Sequence, residues 1–489
     1  MIGISAYGAY VPITRLALSL AAGRAAKDGE PERAVAAHDE DTLTMAVAAA
    51  TDCLGARDRE GIDALYLATT TSPYREKSGA ALVAKALDLR RDVATAELGG
   101  CLRAGLSALA AARDAVASGA ARHALVIASD SRLAAPRSAL ERDMGDGAAA
   151  FVVSATDVLA TIDGRHAVSD EIVDVWRAEH DEFVRSWEDR FVTQHGYHRN
   201  VVDALRGLLA TSGVGASDLA RLALAGPDGR SAAAAAKAVG IAAERVVPLL
   251  FGKLGHTGAA FAPMLLVHAL ESPSVAAGER IACVAHGSGA EAMLLTVTPA
   301  RARPEPRPRR GLTGHLGRRR ALASYQTYLT ARQLSPTEHD ARGGGGVPAT
   351  VAYRERDAEI ALRGLRCTSC GTLHFPRQRV CHRCHARDRF EPVRLSDRPG
   401  RVLSYTFDWF FPSAEPPTIA GVIEIDGARL YVQMTDAAPD ELRCDLPVEM
   451  VFRRIHEAGG RPNYFWKSTP IREGMGRESM EGKAAGGDP

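Results

Sequence analysis

The sequence predicts an α/β protein built from two similar halves and followed by a small metal-stapled β module, and three observations predict it. Over residues 1–299, short apolar runs of strand length alternate with alanine-rich helical runs, the order of elements expected of sheets covered by helices. The alternation begins again after about residue 160, which suggests halves at 1–160 and 161–299. Further on, two Cys-x-x-Cys knuckles precede several short alternating segments, the pattern of a metal ribbon joined to a small β-barrel.

Taken in order, Gly3 to Tyr10 reads as a strand stopped by Val11-Pro12. Asp41 to Leu54 has the cap and apolar face of a helix, Ile62 to Thr69 is a buried strand, Ser78 to Leu89 a helix and Ala124 to Ala128 a strand. In the second half Asn200 to Leu209, Ala232 to Val239 and Met264 to Leu270 read as helices, with strands at Leu222 to Ala225 and Ile281 to Ala285. Residues 300–322 turn to Arg, Pro and Gly and read as a solvated linker that cannot build a core. Residues 323–364 are a helical connector with a joint at Gly343 to Gly346, 365–392 the ribbon, 393–471 the barrel, and 472–489 a disordered tail. The barrel strands are expected at Gly400 to Phe407, Ile419 to Ile425, Arg429 to Met434 and Val448 to Arg453.

A chain of 489 residues accommodates roughly three compact units. Its formal net charge of +1 supplies no general pull toward nucleic acid or an anionic membrane. No apolar run is long enough to span a bilayer and Met1 to Ser5 lacks a signal-peptide layout, so a cytoplasmic location is expected. The Arg-rich run from Arg301 to Arg310 reads as a tether. Trp409, Phe410 and Phe411 either line a ligand channel or stack on single-stranded bases, and the charge balance argues against the second.

Of the eight cysteines, Cys367, Cys370, Cys381 and Cys384 form the two knuckles. Four thiolates close a tetrahedral shell with no open position, which specifies a structural Zn2+. Gly371 supplies the tight turn, and His374, His382 and His385 are spare ligands. Cys53 and Cys283 sit in apolar runs and read as packing thiols. Cys101 differs. Small residues in Gly99-Gly100 lead into it, and the run from Leu102 to Ser118, closed by Gly119, reads as a helix. A thiol at a helix N-terminus meets unpaired amides and the positive end of the helix dipole, which favour the nucleophilic thiolate. The pattern alone leaves nucleophile and packing thiol both open.

Residues 1–299 resemble the thiolase-fold condensing enzymes, 3-hydroxy-3-methylglutaryl-CoA synthase and ketoacyl-ACP synthase III among them. The matching stretches are Gly8-Ala9-Tyr10-Val11-Pro12, Asp39-Glu40-Asp41-Thr42, Gly99-Gly100-Cys101, Gly145-Asp146-Gly147-Ala148-Ala149, Gly255-His256-Thr257-Gly258 and His286-Gly287-Ser288-Gly289. Residues from about Tyr325 to Pro470 resemble the zinc-ribbon plus OB-fold family that accompanies acyl-CoA enzymes, through Leu365-Arg366-Cys367, Gly400 to Thr406 and Tyr464-Phe465. The resemblance implies a duplicated five-layer thiolase-like fold, then a ribbon and an OB-type barrel. It further implies that Cys101 takes an acyl group from CoA or an acyl carrier protein, that the Ser288 backbone N–H joins that of Cys101 in an oxyanion hole, and that the chain forms a homodimer.

The departures bear on the reaction. The family's glutamate acid/base aligns with Thr70, and its histidine before a proline aligns with Ala225. A hydroxyl cannot take a proton from an acetyl methyl as a carboxylate can. His256 remains, able to accept a proton or to donate a hydrogen bond to a thioester oxygen. His286 is a second candidate beside Ser288, His195 and His198 read as residues of a polar loop, and Asp228 as a turn residue. Two functions follow from these residues. One is an acyltransferase that passes the group on Cys101 to a small acceptor, with His256 assisting. The other is a reduced scaffold whose ribbon and barrel bridge to a separate thiolase-type subunit and share its CoA.

Overall fold

The computed structural model describes residues 1–302, 309–335, 347–411, 413–458 and 460–472. The flexible joint expected at Gly343 to Gly346 and all of the expected tail except Arg472 lie outside the described residues. Among those described, no helix is long and apolar enough to cross a membrane.

A nine-stranded sheet forms the body, and its pairing repeats. Gly3–Tyr10 runs antiparallel to Gly147–Ser154, which is antiparallel to His123–Asp130; then come Ala64–Ala68 and Ala94–Leu98, both parallel. In the second half Ala160–Ser169 runs antiparallel to Gly289–Val297, which is antiparallel to Arg280–His286. Leu219–Leu224 follows in parallel, with a single parallel bridge from Leu222 to Val246 in the fifth place. The two sets join where Gly3 and Ile4 pair with Thr161 and Ala160. Helices Ala104–Ala117 and Phe261–Glu271 pack between the halves, while Thr42–Leu54 covers the first half outside and Arg199–Ser212 the second. The Thr42–Leu54 helix starts where its sequence says. Asp41 accepts the Leu43 and Thr44 amides, both at 2.9 Å, and Thr44 Oγ1 accepts the Asp41 amide at 2.8 Å.

The expected linker is instead packed where it is described. Gly311–Gly317 is helical with Leu312 and His315 buried, and Arg320–Ala321 pairs in parallel with Thr14–Ala17. Two acidic side chains explain this. Asp52 accepts the amides of Arg310 and Gly311 at 2.7 and 3.0 Å, and Glu271 those of Leu312 and Thr313 at 2.7 and 3.0 Å. They satisfy the amides that open a helix, which a composition rich in Arg, Pro and Gly does not reveal.

Strands Arg363–Cys367, Leu373–His374 and Phe390–Arg394 carry the ribbon, and the barrel closes in the order Gly400–Asp408, Thr418–Ile425, Ala428–Met434, Arg461–Pro470, Pro447–Ala458. Arg461–Pro470 is the strand the sequence reading left out.

The barrel seats on Asp39-Glu40-Asp41, and the seat is ionic and buried. Arg453 is 1% exposed and meets Glu40 at 3.1 Å and Asp436 at 2.9 Å. Lys467 Nζ lies 2.8 Å from Asp39, Thr435 donates to Asp39 at 2.9 Å, and Tyr464 donates to Asp41 at 2.7 Å. Against its burial, Lys467 and Arg453 hold the Asp39 carboxyl well below the usual carboxylate range. Glu40 goes the other way: burial, against the pull of Arg453, pushes it up to about 7. A carboxyl whose folded pKa lies above its unfolded value stabilises the fold fully below the unfolded value, and the contribution is lost as pH rises through about 7. The stability of the wild type relative to Glu40→Gln should therefore fall by on the order of 3 kcal/mol between pH 4.5 and 8. Denaturant melts of the two proteins across that range check it, and a difference that stays flat contradicts it.

Candidate active site

Three segments converge at the inner ends of the central helices. Cys101 does not begin its helix, as the sequence suggested. It is half-buried in the turn before it, the helix starts at Ala104, and the Ala104 amide donates to the Cys101 carbonyl at 3.2 Å. The N-cap position falls on Arg103, two residues after the thiol, and its side chain makes no capping hydrogen bond.

The turn His286-Gly287-Ser288-Gly289 abuts this thiol-bearing loop. A Cβ on Gly287 would fall 2.8 Å from Leu102 N and 3.2 Å from Arg103 N, so only glycine allows the two backbones to approach this closely. Ser288 forms the exposed tip of the turn with left-handed backbone, φ 47°. The loop His256-Thr257-Gly258 reaches the same region: a Cβ on Gly105, within the helix after Cys101, would fall 2.4 Å from the Ala259 carbonyl oxygen.

His256 is half-buried against the Phe261 ring, 4.3 Å between centroids. Its Nδ1 accepts the Gly258 amide at 3.1 Å. A backbone N–H can only donate, so the neutral ring keeps its lone pair on Nδ1 and carries its hydrogen on Nε2. Burial, then the Arg132 guanidinium, push the pKa of His256 down to about 3, so the ring is neutral near pH 7. Of the two roles open in the sequence, donor and acceptor, this geometry favours the donor. His286 is arranged in the opposite sense. Its Nδ1 lies 3.7 Å from the Asp174 carboxylate, while Nε2 is buried with no partner.

The hydroxyl of Thr70, the residue that the resemblance aligns with the family's carboxylate, is committed. The fully buried Asp130 accepts five hydrogen bonds: Thr69 Oγ1 at 2.8 Å, Thr70 N at 2.7 Å, Thr70 Oγ1 at 2.8 Å, Thr71 Oγ1 at 2.8 Å and Ala259 N at 2.7 Å. Asp130 thus ties the strand end of the first half to the His256 loop of the second. A Cβ on Gly258 would lie 2.1 Å from Asp130 Oδ2, which makes glycine obligatory there. Ala225 is buried, and its amide is used by the Val284 carbonyl at 3.0 Å.

Other expected residues fall elsewhere. His195 and His198 belong to a helical run, not to a loop, because Val192–His198 continues into Arg199–Ser212. Asp228 caps Gly229–Ala238 by accepting the Arg230 and Ser231 amides at 2.8 and 2.9 Å. Cys53 and Cys283 are buried, and burial pushes both thiols up, Cys53 to about 12. Trp409, Phe410 and Phe411 are exposed on a barrel loop. The reading from sequence missed Asp130, Arg132 and Asp174. Asp130 and Arg132 had a signal, their position at the C-terminal end of an expected strand, where open α/β sheets collect functional groups. Asp174 had none.

In the ribbon the four sulfurs of Cys367, Cys370, Cys381 and Cys384 lie within 4.8 Å of one another, with Cys367–Cys384 and Cys370–Cys381 each at 3.6 Å. Thiolates 2.3 Å from a tetrahedral zinc stand about 3.8 Å apart, so the spacing fits that ion. Among the spare ligands, His374 and His382 face each other, 3.2 Å between their Nδ1 atoms.

Comparison with known proteins agrees with this architecture. Residues 209–297 match the family described as 3-oxoacyl-[acyl-carrier-protein] synthase III C terminal, residues 354–391 the ChsH2 rubredoxin-like zinc ribbon and residues 392–453 the ChsH2 C-terminal OB-fold domain. The hydroxymethylglutaryl-CoA synthase of Methanocaldococcus jannaschii is 32% identical over 311 residues, covering 61% of this chain and 89% of the relative. That of Pyrococcus furiosus is 32% identical over 298 residues, covering 59% and 84%. A solved HMG-CoA synthase complexed with CoA shares the fold with a TM-score of 0.62 at 20% identity, over 71% of this chain and 94% of that one. The 3-oxoacyl-(acyl carrier protein) synthase III of Pseudomonas aeruginosa does so with a TM-score of 0.55 at 24% identity, over 61% and 98%. Through its duplicated thiolase-like body the chain belongs to the hydroxymethylglutaryl-CoA synthase family of acyl-transferring condensing enzymes, and it carries in addition a ChsH2-type zinc ribbon and OB barrel.

Proposed function

We propose that the protein loads an acyl group from a CoA thioester onto Cys101 and passes it to a small acceptor that is already nucleophilic, such as an enol, an electron-rich ring, a hydroxyl or an amine. The observation that carries this reading is the opposite arrangement of the two histidines around the Cys101 turn. The lone Nε2 of His286, with Asp174 beside Nδ1, supports the assignment of this ring as the base that takes the thiol proton. The Cys101 sulfur then attacks the thioester carbonyl, the oxygen gains negative charge, and the CoA thiolate leaves. His256 Nε2–H and the amides of Cys101 and Ser288 serve as donors to that oxygen. Thr70, whose hydroxyl donates to Asp130, supplies no carboxylate to enolise an acetyl group, and this argues for a pre-activated acceptor over the reaction of the family's named synthases. CoA is taken as donor because a solved structural neighbour holds it; another, the curacin HMG synthase, is solved in complex with holo donor-ACP, which makes a carrier protein the alternative donor.

Intact-protein mass spectrometry after incubation with a panel of acyl-CoAs tests the reading. A mass gain equal to one acyl group, blocked by prior alkylation of Cys101, is expected, and no gain from any acyl-CoA or acyl-carrier donor would refute it. The losses at Thr70 and Ala225 favour one second reading, a scaffold whose ribbon and barrel bridge to a separate thiolase. Recovery of a thiolase-type subunit with the native protein, together with no acyl gain, would establish that reading instead.

A further inference from the structure

Arg132 follows Asp130 and Ser131 at the end of its strand and is 7% exposed. Its stem runs under the His256 loop: a Cβ on Gly258 would fall 2.8 Å from Arg132 Cδ. Among the described residues its guanidinium has no hydrogen-bond or ion-pair partner. The charged groups that face it are Asp130, Asp174 and Arg177; the two carboxylates favour its charge from a distance, but none of the three reaches hydrogen-bond or ion-pair distance of it. Asp130 is saturated by its five donors. Asp174 is turned to the Val175 amide at 2.6 Å and to His286, and Arg177 is exposed, donating to the Thr70 carbonyl. Arginine cannot shed its proton, and a buried guanidinium whose N–H donors meet no protein acceptor calls for an acceptor that arrives with the substrate.

We infer that Arg132 is a substrate-binding residue and that one of the two reacting molecules carries a carboxylate, held by the guanidinium fork while its other end reacts at Cys101. Planar, two-point pairing is what a guanidinium offers a carboxylate and what an ammonium does not. This rests on the reading of Cys101 as the acyl acceptor. The carboxylate belongs either to the acyl donor or to the molecule that receives the group, and equilibrium binding separates the two without any covalent step.

The experiment uses full-length Cys101→Ala protein and titration calorimetry. In one arm, succinyl-CoA is compared with butanoyl-CoA, which has the same carbon chain without the carboxylate. In the other, the protein is saturated with butanoyl-CoA, and free succinate is compared with butanamide. The charged ligand should bind at least about tenfold more tightly in one arm, which names the source. Adding Arg132→Met should reduce that preference to within about twofold, and Arg132→Lys should leave an intermediate value, since it keeps the charge and loses the fork. No preference in either arm, or a full preference retained in Arg132→Met or Arg132→Lys, overturns the inference. Failure of the Cys101 reading is seen separately, as wild-type protein that gains no acyl mass from any donor.

Discussion

Cys101→Ala is expected to lower product formation by roughly 10^4-fold or more while the protein stays folded. The thiol is the only nucleophile the resemblance places in the site, and it lies in the turn where the thiol-bearing loop meets His286-Gly287-Ser288 and the His256 loop. Without it the remaining groups can still hold a thioester, but no covalent intermediate can form. The residue is half-buried and outside any helix or strand, so truncation to alanine removes little packing, and a change in unfolding free energy within about 1 kcal/mol is expected. Turnover with the donor identified by mass, measured beside a denaturant melt of the same preparation, separates the two effects. Turnover within tenfold of wild type would remove Cys101 from the chemistry.

Arg453→Met is expected to destabilise the junction of body and barrel by about 3–5 kcal/mol. The guanidinium is the shared partner of Glu40 and Asp436, with Asp39 at 3.6 Å, and all of these side chains are nearly fully buried. Removing it leaves three buried acidic groups, of which Asp39 alone keeps a salt bridge, to Lys467. Methionine fills much of the volume, so the loss is electrostatic and not a cavity. Calorimetry should show a second transition, the barrel and ribbon parting before the nine-stranded body, and limited proteolysis should then cut between them. A single transition shifted by less than about 1 kcal/mol would mean that the apolar part of the interface carries the docking.

The elements were legible in the sequence wherever a pattern is local. Alternation of apolar runs fixed the strands Gly3–Tyr10 and His123–Asp130, the Asp41 cap fixed the start of its helix, and the spacing of four cysteines fixed the ribbon. The linker was misread because its helix is opened by Asp52 and Glu271, carboxylates far away in the chain. Asp39-Glu40-Asp41 was legible as a motif, but not as the seat of the barrel.

By itself the sequence determined the kinds of chemistry available: a thiol after small residues, two histidines in glycine turns, a thiolate cage, and the loss of a carboxylate at Thr70. Only the tertiary structure decided which partner each group meets. It set the hydrogen on His256 Nε2 through the Gly258 amide, turned His286 toward Asp174, spent Asp130 on three threonines and Ala259, and left Arg132 with no hydrogen-bond or ion-pair partner among the described residues. The physical reason is that periodicity records which face of an element is buried. The role of a buried polar group is set by the donor or acceptor that the fold brings within about 3 Å, from any distance along the chain.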